Sequence, residues 1–367
     1  MHIIISREAL LKPMMAVNSV VERRHTLPVL ANVLLSVEDK QLSITGTDME
    51  VELIGRTPVD EVKTAGAITV PARKFLDICR TLAEGAKIEI SVKSGKLTLK
   101  SGRSRFVLTT RSADEFPAVE DEAGDTFSVT LEQQHLSTLL ANTGFSMAQQ
   151  DVRYYLNGML FEATKDYLRV VATDGHRLAM DTLKMSNDIS EQKQMILPRK
   201  GVMELTRLLE EEGDVKLTFG KNHIRAEVPS YTLNSILVDA KFPPYERVLP
   251  KDGDKIVTGD REELRQAFTR AAILSNEKYH GVRVVLSSGE LKILANNPEQ
   301  EEAEDAVSVD YSGDKLEMGF NVSYLIDVLT TIGSEKARIT LSNPNSSALI
   351  QPDGDSEALY VVMPMKL

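Results

Sequence analysis

The chain has 367 residues, 42% hydrophobic and 26% charged, which is typical of a folded globular protein and excludes a mainly disordered one. At roughly 100–200 residues per domain, this length predicts two or three domains. The single cysteine, Cys79, excludes an intramolecular disulfide framework and a multi-cysteine zinc site. The net charge of −11 argues against a protein that simply coats nucleic acid.

The sequence carries neither a membrane signal nor an export signal. No run reaches the roughly 18 apolar residues that a membrane-spanning helix needs. The first residues, MHIIISRE, lack the basic start and long apolar run of a signal peptide. We therefore expect a cytoplasmic protein with no membrane partner.

The first predicted element is an amphipathic helix near the N-terminus. Its apolar residues lie on one helical face, at positions 10, 14, 17 and 21. Pro13 falls inside this stretch and is expected to kink the helix or to limit its start. Similar helices are predicted at 131–145 and 262–274. Alternating runs such as 87–92 and 215–219 predict half-exposed antiparallel strands.

Three landmarks recur in the same order along the chain. A strand-like segment appears as LSITGTD at 42–48, LRVVATD at 168–174 and LKILANN at 291–297, with starts 126 and 123 residues apart. A predicted helix start appears as VPARKFLDI at 70–78, LPRKGVMEL at 197–205 and FNVSYLIDV at 320–328. The third landmark is Phe-Pro at 116–117 and 242–243 and Met-Pro at 363–364. A shared strand–helix rhythm could produce part of this pattern, but constant order and spacing favour a threefold repeat.

The repeat predicts the domain organisation. Proline suits the first helical turn and asparagine suits the N-cap, so the second landmark keeps its physical role in all three copies. Linkers that are acidic or contain glycine, at 120–125 and 251–255, separate the copies. We predict three similar α+β domains, at 1–125, 126–253 and 254–367, each with two helices packed on antiparallel sheet.

Longer motifs connect the chain to a known family. The motifs are Arg24, TLP at 26–28, VPARKF at 70–75, DVRYYLNG at 151–158, ATDGHRL at 172–178, AAILSNEK at 271–278, NNPEQEE at 296–302 and YVVMPM at 360–365. They closely resemble the bacterial DNA polymerase III beta subunits, the replicative sliding clamps, over essentially the whole chain. The resemblance implies a head-to-tail homodimer, closed into a ring around duplex DNA, with helices facing the hole and sheets outside. It implies a non-catalytic processivity factor without cofactor or metal.

Partners follow from the same resemblance. They are double-stranded and primed DNA, bound without sequence preference, and the alpha subunit of the replicative polymerase. The clamp loader and other polymerases and repair proteins with short apolar clamp-binding motifs complete the set. Gln149, Pro244 and Glu246 depart from the family pattern, which leaves their effect on DNA and peptide binding open.

Basic residues recur on the second predicted helix of the first two repeats: Arg73, Lys74, Arg80, Arg199, Lys200 and Arg207. Each one alone is more simply a solvated surface residue, but the set on equivalent helices favours a surface that faces DNA. By resemblance, the DNA contacts are Arg24, Arg73, Gln150, Tyr154 and Tyr155. Arginine binds phosphate, while tyrosine and glutamine can hydrogen-bond to or stack on an unpaired base. Such contacts position DNA without reading its sequence.

Two charged segments predict the contact between copies. Residues 91–111 carry six basic side chains and no acid, whereas residues 299–305 carry five acids and no base. Two unrelated charged surface strands would explain either run alone, but complementary signs in the first and third repeats favour a head-to-tail interface. The predicted interface residues are Lys74, Lys96, Arg103, Arg105, Phe106, Ile273, Leu274, Glu299, Glu301, Glu302 and Glu304.

The resemblance also implies a cleft between the second and third domains, where partner proteins dock apolar-ended peptides. The matching residues are Leu156, Thr173, Gly175, His176, Arg177, Leu178, Pro243, Arg247, Val248, Asn321, Tyr324, Ser347, Val361, Met363, Pro364, Met365 and Lys366. Methionine and leucine suit an adaptable pocket that accepts several partners. Without the resemblance, most of these residues would be interpreted as ordinary core.

A hydrolase that uses Asp174, Gly175, His176 and Asp48 is the alternative from another class, since aspartate beside histidine can bind a metal or act as a base. The third repeat, however, has Asn297 in place of the equivalent aspartate. The sequence contains no phosphate-binding glycine loop and no Gly-x-Ser-x-Gly motif. Cys79 lies on an apolar helix face, which favours a packed thiol over a nucleophile.

Overall fold

The structure, a computed structural model, describes residues 1–22, 27–117, 126–189, 191–251 and 253–366. The predicted linker at 120–125 and part of that at 251–255 lie outside the described residues. Within the described part of the chain, the order strand, helix, four or five strands, helix, three strands occurs three times. This order confirms the predicted α+β repeat. No helix of the described residues is long and apolar enough to cross a membrane.

The elements of each repeat follow one another without insertion of another domain. The first repeat contains β1 (His2–Ser6), α1 (Arg7–Val17), β2 (Asn32–Glu38), β3 (Gln41–Thr47), β4 (Val51–Pro58), β5 (Glu61–Thr64), β6 (Gly66–Pro71), α2 (Ala72–Thr81), β7 (Lys87–Lys93), β8 (Lys96–Ser101) and β9 (Ser104–Thr109). The second contains β10 (Phe127–Glu132), α3 (Gln133–Thr143), β11 (Gly158–Ala163), β12 (Tyr167–Thr173), β13 (Arg177–Lys184), β14 (Lys193–Pro198), α4 (Arg199–Leu208), β15 (Asp214–Phe219), β16 (His223–Val228) and β17 (Tyr231–Ile236). The third contains β18 (Lys255–Asp260), α5 (Arg261–Ala272), β19 (Gly281–Ser287), β20 (Glu290–Asn296), β21 (Glu302–Asp310), β22 (Leu316–Asn321), α6 (Val322–Thr331), β23 (Lys336–Leu341), β24 (Ala348–Pro352) and β25 (Leu359–Val362).

Side-chain caps explain where several helices begin. The Ser6 side chain accepts a hydrogen bond from the backbone of Ala9, and Asn321 does the same for Ser323 at the start of α6. Pro71 occupies the N-cap position of α2, one residue before the helix, where its missing backbone donor costs no helical hydrogen bond. Pro13 lies within α1, which ends at Val17, so the predicted apolar stripe extends beyond the helix itself.

The chain folds into two compact units, and the first comprises Met1–Leu136 and Lys200–Leu237. It contains a five-stranded sheet in the order β5-β1-β7-β8-β9 and an eight-stranded sheet in the order β10-β15-β16-β17-β4-β3-β2-β6. The eight-stranded sheet joins two repeats, because β4 pairs antiparallel with β17 from Tyr231 opposite Gly55 to Ser235 opposite Val51. A Cβ atom at Gly55 would lie 2.8 Å from the Cβ of Pro13, so only glycine lets α1 approach β4 this closely.

The second unit comprises Ser137–Arg199 and Val238–Leu367. Its twelve-stranded sheet has the order β14-β11-β12-β13-β25-β24-β23-β18-β21-β20-β19-β22. Here β13 pairs antiparallel with β25, which places Leu178 opposite Val361. A small core cluster at this junction includes Leu160, Leu178, Phe242, Tyr245 and Val361.

Both junctions between repeats follow one rule. In each, the third strand after the first helix of one repeat pairs with the last strand of the next repeat, as β4–β17 and β13–β25. The corresponding strands that remain are β21 in the third repeat and β9 in the first. In the described residues, β9 pairs only with β8, and β21 pairs with β20 along its length but with β18 only at Val309 and Asp310. Each therefore presents an open edge.

Candidate functional site

A small apolar cavity of about 160 Å³ opens in the second unit beside the β13–β25 junction. Its walls come from the end of β12, the start of β13, the end of β25, the turn that precedes β11 and the segment that follows β17. The lining residues are Arg153, Tyr155, Leu156, Thr173, Gly175, Arg177, Leu178, Pro243, Pro244, Tyr245, Val248, Val361 and Met363. The apolar side chains give the pocket its hydrophobic floor, and two arginines stand at its margin.

The β12–β13 turn at one wall is fixed by short polar side chains. Thr173 Oγ1 accepts a hydrogen bond from the backbone of Gly175 at 3.1 Å and donates to the carbonyl of Arg177 at 2.6 Å. Asp174 Oδ1 accepts from the backbone nitrogens of His176 and Arg177, at 2.9 and 3.0 Å. Gly175 has φ +90°, and a Cβ there would lie 2.7 Å from the guanidinium of Arg153. The motif ATDGHR is therefore a rigid turn that brings backbone and guanidinium together.

The same turn explains the residues of the hydrolase hypothesis. Asp48 Oδ1 accepts from the backbone of Glu50 and Val51 in the first repeat, as Asp174 does in the second. Asn297 Oδ1 accepts from the backbone of Glu301 in the third repeat, because an amide oxygen performs the same role as a carboxylate. No group of three potential metal ligands exists among the residues that the structure describes. The recurring aspartate serves as a turn anchor.

Arg177 is the most highly connected side chain at the pocket. Its Nε donates to Asp174 Oδ2 at 3.0 Å, and its two terminal nitrogens donate to Asp327 of α6 and to the carbonyl of Phe145. The guanidinium lies 4.6 Å from the ring centre of Tyr324, also on α6. These contacts hold Arg177 in one orientation, so the pocket is largely preformed at this wall.

Arg153 forms the opposite polar margin. It donates to both carboxylate oxygens of Asp151, at 3.1 and 2.9 Å, and to the carbonyl of Asp174 at 3.0 Å. Hydrogen bonds from the Arg153 side chain and backbone lower the pKa of Asp151 to about 2, so this carboxylate stays ionised at neutral pH. The pair therefore fixes the turn that carries Tyr154 and Tyr155.

The structure brings nine of the predicted cleft residues to the pocket wall: Leu156, Thr173, Gly175, Arg177, Leu178, Pro243, Val248, Val361 and Met363. His176 and Tyr324 lie beside it as a stacked pair, with ring centres 6.4 Å apart. Asn321 caps α6. Arg247, Ser347 and Pro364 are not among the lining residues.

The C-terminal methionines occupy different grooves. Met363 lines the apolar pocket. Met365 instead donates its backbone hydrogen to the carbonyl of Gly319 at 2.8 Å and, with Lys366, lines a larger groove of about 970 Å³ in the third repeat. Met365, which the resemblance assigns to the cleft, therefore does not line the apolar pocket, because its hydrogen bond to Gly319 directs the backbone beyond Pro364 to the larger groove.

Four lining residues are not among the predicted cleft positions: Arg153, Tyr155, Pro244 and Tyr245. The family resemblance assigns Tyr155 to DNA, but its side chain lines the pocket, while its neighbour Tyr154 is 58% exposed. Pro244 and Tyr245 directly follow the Phe-Pro landmark. That position in the repeat is the sequence signal that could have identified them.

The predicted DNA contacts are placed as follows. Arg73 is exposed on α2, with a carboxylate oxygen of Asp77 at 3.8 Å. Gln150 is exposed with φ 56°. Arg24 lies outside the described residues.

Of the basic helix residues, Lys200 is bonded to Asp48 and Glu22. Arg199 donates to the carbonyl of Met147, and Arg207 pairs with Glu204 at 2.6 Å. Lys74 and Arg80 are exposed on α2. Arg207 remains exposed despite its pair with Glu204, so the exposed positive charges of the set lie on both helices, three on α2 and one on α4.

The predicted interface residues lie at the two open strand edges or near them. On the first unit, Lys96, Arg103, Arg105 and Phe106 belong to the β8–β9 hairpin, and Lys74 is exposed on α2. On the second unit, Ile273 follows α5 and is 76% exposed, and Leu274 is half-buried.

The acidic run reaches β21 through four exposed glutamates: Glu299, Glu301, Glu302 and Glu304. Glu304 already pairs with Lys292 at 2.6 Å, and Asp305 pairs with Arg270 at 2.6 Å. These internal pairs neutralise part of the acidic run.

Comparisons with known proteins agree with the repeat. Three models of the DNA polymerase III beta subunit match successive regions, the N-terminal domain at 1–120, the central domain at 130–244 and the C-terminal domain at 246–366. The beta sliding clamp of Pseudomonas putida is 57% identical over 368 residues, and that of Escherichia coli is 48% identical over 368 residues. In both cases, all of each chain is covered.

Solved structures give the same result. The DNA polymerase III subunit beta of Pseudomonas aeruginosa has a TM-score of 0.97 at 57% identity, and a sliding clamp of that organism bound to griselimycin has the same values. A Bartonella birtlesii clamp bound to griselimycin has a TM-score of 0.95 at 36% identity. Each comparison covers all of both chains. These proteins are named as clamps or polymerase subunits, which confirms the prediction of a sliding clamp rather than a hydrolase. The chain belongs to the DNA polymerase III beta subunit family, the bacterial sliding clamps.

Proposed function

We propose that two copies of this chain close head to tail into a ring around duplex DNA. In this proposal the ring tethers the replicative polymerase and other DNA-processing proteins through the apolar pocket beside β13 and β25. Because chromosome replication takes place in the bacterial cytoplasm, we expect the ring to act there. The proposal also retains the three domains predicted from the repeat, at 1–125, 126–253 and 254–367.

The observation that carries the ring is the rule that governs the two internal junctions. Each pairs the third strand after the first helix of one repeat with the last strand of the next, and β21 and β9 are the strands left without such a partner. Pairing β21 of one copy with β9 of another applies the same rule a third time. Because the contact is head-to-tail, two copies that each offer both edges can close the assembly.

Charge supports this pairing of edges. Exposed basic residues of the β8–β9 hairpin, such as Arg103 and Arg105, would face exposed glutamates at 299–302. Such complementarity steers the two edges together and disfavours contact between two identical edges. Ile273 is an exposed apolar side chain in the single chain, and the proposed interface would bury it.

DNA contact in the ring requires no base reading. The exposed arginine and lysine of α2, Arg73 and Lys74, can neutralise phosphates, and the exposed ring of Tyr154 can stack on a base. With a net charge of −11, the rest of the surface repels DNA, so attraction is confined to such local basic faces. These contacts hold the duplex without fixing it at one sequence.

The pocket suits the apolar end of a peptide. Its floor is built from Leu156, Leu178, Val248, Val361 and Met363, and the margins carry guanidinium groups that can bind a carboxylate or a backbone carbonyl. The flexible side chain of Met363 permits several related sequences to bind. This chemistry favours short motifs with one or two large apolar side chains.

Topological retention tests the ring directly. The chain is loaded onto nicked circular DNA with its clamp loader and then moved into salt high enough to screen phosphate contacts. We expect the protein to remain on the circular DNA and to dissociate as soon as a restriction enzyme linearises the circle. A linear duplex blocked at both ends by bound protein is the matched control and should retain the chain. Equal loss from circular and open linear DNA would contradict encirclement.

A further inference from the structure

One wall of the apolar pocket is formed by a segment without β-structure. Residues 238–249 connect β17 to the third repeat and contain only the short 3-10 turn Tyr245–Arg247 among their described elements. They nevertheless supply Pro243, Pro244, Tyr245 and Val248 to the pocket. Because the segment forms few backbone hydrogen bonds, side-chain contacts must anchor it to the rest of the domain if the pocket wall is to hold one conformation.

The hydroxyl group of Tyr245 is one such anchor, in addition to the buried ring of Phe242. It donates to Glu162 Oε1 at 3.0 Å and accepts from Arg169 Nη1 at 3.1 Å. Tyr245 is 3% exposed, so its hydroxyl has exchanged water for these two partners. The ring packs in the cluster that also contains Leu178 and Val361 of the pocket.

The Tyr245 hydroxyl binds to a buried polar network on β11, β12 and β14 of the second repeat. Glu162 on β11 is 1% exposed and lies directly opposite Arg169 on β12. Tyr167 donates to Glu162 Oε1 at 2.9 Å, and Gln194 donates to Oε2 at 2.6 Å. Burial by itself raises the pKa of Glu162, but the hydrogen bonds from Gln194, Tyr167 and Tyr245 outweigh burial and the pKa is lowered.

Arg169 is fixed independently of Tyr245. Its Nε donates to Thr182 Oγ1 at 2.9 Å, and its guanidinium lies 4.5 Å from the ring centre of Tyr167. The carboxylate and the guanidinium therefore have partners that do not belong to the segment, because Tyr167, Gln194 and Thr182 lie on strands of the sheet. The network is a preorganised binding site for the hydroxyl group of Tyr245.

We propose that Glu162 and Arg169 are positioning residues for partner binding: by holding the Tyr245 hydroxyl they fix the wall at 243–248 and so set the affinity of the pocket. This proposal rests on the proposed peptide-binding function of the pocket. A wall fixed before binding spares the complex the entropy of ordering it. Release of the hydroxyl would let the wall move, and the bound peptide would dissociate faster.

Two matched tyrosine variants separate positioning from general stability. Tyr245→Phe and Tyr167→Phe each remove one hydroxyl that donates to the same oxygen of Glu162, but only Tyr245 lines the pocket. The probe is a fluorescein-labelled peptide that carries a short apolar clamp-binding motif of the polymerase alpha subunit, and its binding is followed by anisotropy and its dissociation by stopped flow. We expect Tyr245→Phe to weaken binding roughly tenfold, mainly through faster dissociation, and Tyr167→Phe to stay within about twofold of the unchanged chain.

Amide hydrogen exchange provides a second measurement that needs no peptide. Tyr245→Phe should speed exchange at Arg247 and Val248, whose backbone nitrogens donate to Pro244 and Tyr245, while Tyr167→Phe should not. Equal peptide affinity in both variants and the unchanged chain, or equal loss in both variants, would overturn the positioning role. If the unchanged chain itself fails to bind the peptide, the proposed function of the pocket falls and this inference falls with it.

Discussion

Truncation of Ile273 to alanine should separate the two copies of the ring without unfolding either one. Ile273 follows α5 and is 76% exposed in the single chain, so it contributes little to the stability of its own domain. In the proposed dimer it lies at the centre of the contact between β21 and β9. Ile273→Ala therefore tests the interface while it leaves the core intact.

The exposed fraction of the Ile273 side chain determines how much dimerisation free energy the substitution removes. Full burial of an isoleucine side chain is worth about 1.5–3 kcal/mol, so covering three quarters of its surface contributes about 2 kcal/mol at one interface. A head-to-tail dimer has two such interfaces, which gives about 4 kcal/mol for the pair. At 1.4 kcal/mol for each factor of ten, the dimer dissociation constant should rise roughly thousandfold.

Sedimentation equilibrium across a dilution series measures that constant, and circular dichroism on the same samples checks the fold. Ile256→Ala is the matched control, because Ile256 is also exposed, at 44%, and lies on β18 outside the proposed interface. It should leave the dimer unchanged. A dissociation constant for Ile273→Ala that matches that of the control would refute the assignment of this residue to the interface.

Three further measurements address other parts of the molecule. Met363→Ala should weaken binding of a polymerase-derived peptide roughly thirtyfold by anisotropy, as truncation of a central anchor costs about 2 kcal/mol, whereas Met365→Ala in the neighbouring groove should have little effect. Burial raises the pKa of the Cys79 thiol to about 12, so at pH 8 iodoacetamide should label it only as fast as its domain unfolds. Rapid labelling of native protein would contradict its packed position. Because the pKa of Glu162 is lowered in the folded state, its carboxylate stabilises the fold at pH values above the pKa that it has in the unfolded chain. This contribution is lost as the pH falls through the pKa of the folded state. The melting temperature of Glu162→Gln should therefore fall less on acidification than that of the unchanged chain.

The basic residues of α4 illustrate what the charge pattern leaves undecided. The sequence places Lys200 beside other basic residues on a helix, which favours a DNA-facing surface. In the structure its ammonium is bonded to Asp48 and Glu22, both distant in sequence. Partners that arrive from another repeat cannot be found from local composition, so only the folded structure separates a paired lysine from an available one.

The network at Glu162 shows the same limit for the pocket. The Phe-Pro landmark at 242–243 belongs to the repeat, and the family resemblance assigns Pro243 and Val248 to the cleft. Nothing local indicates that Tyr245 meets Glu162 and Arg169, because these residues come together through pairing of β11 with β12 and the return of the segment after β17. The anchor is a tertiary contact.

The sequence by itself determined the repeat, the alternation of strands and helices and the family. These features depend on residues that are close together in the sequence, such as the helix cap Asn321, the apolar stripes and the turn aspartates. Local patterns that recur three times can be recognised from the sequence alone. Only the tertiary structure decided which strands join the repeats, which edges stay open and which methionine of the C-terminal segment reaches the pocket. The pairing of β13 with β25 brings together residues more than 170 positions apart in the sequence, and its register depends on the packing of whole sheets rather than on the residues of either strand alone.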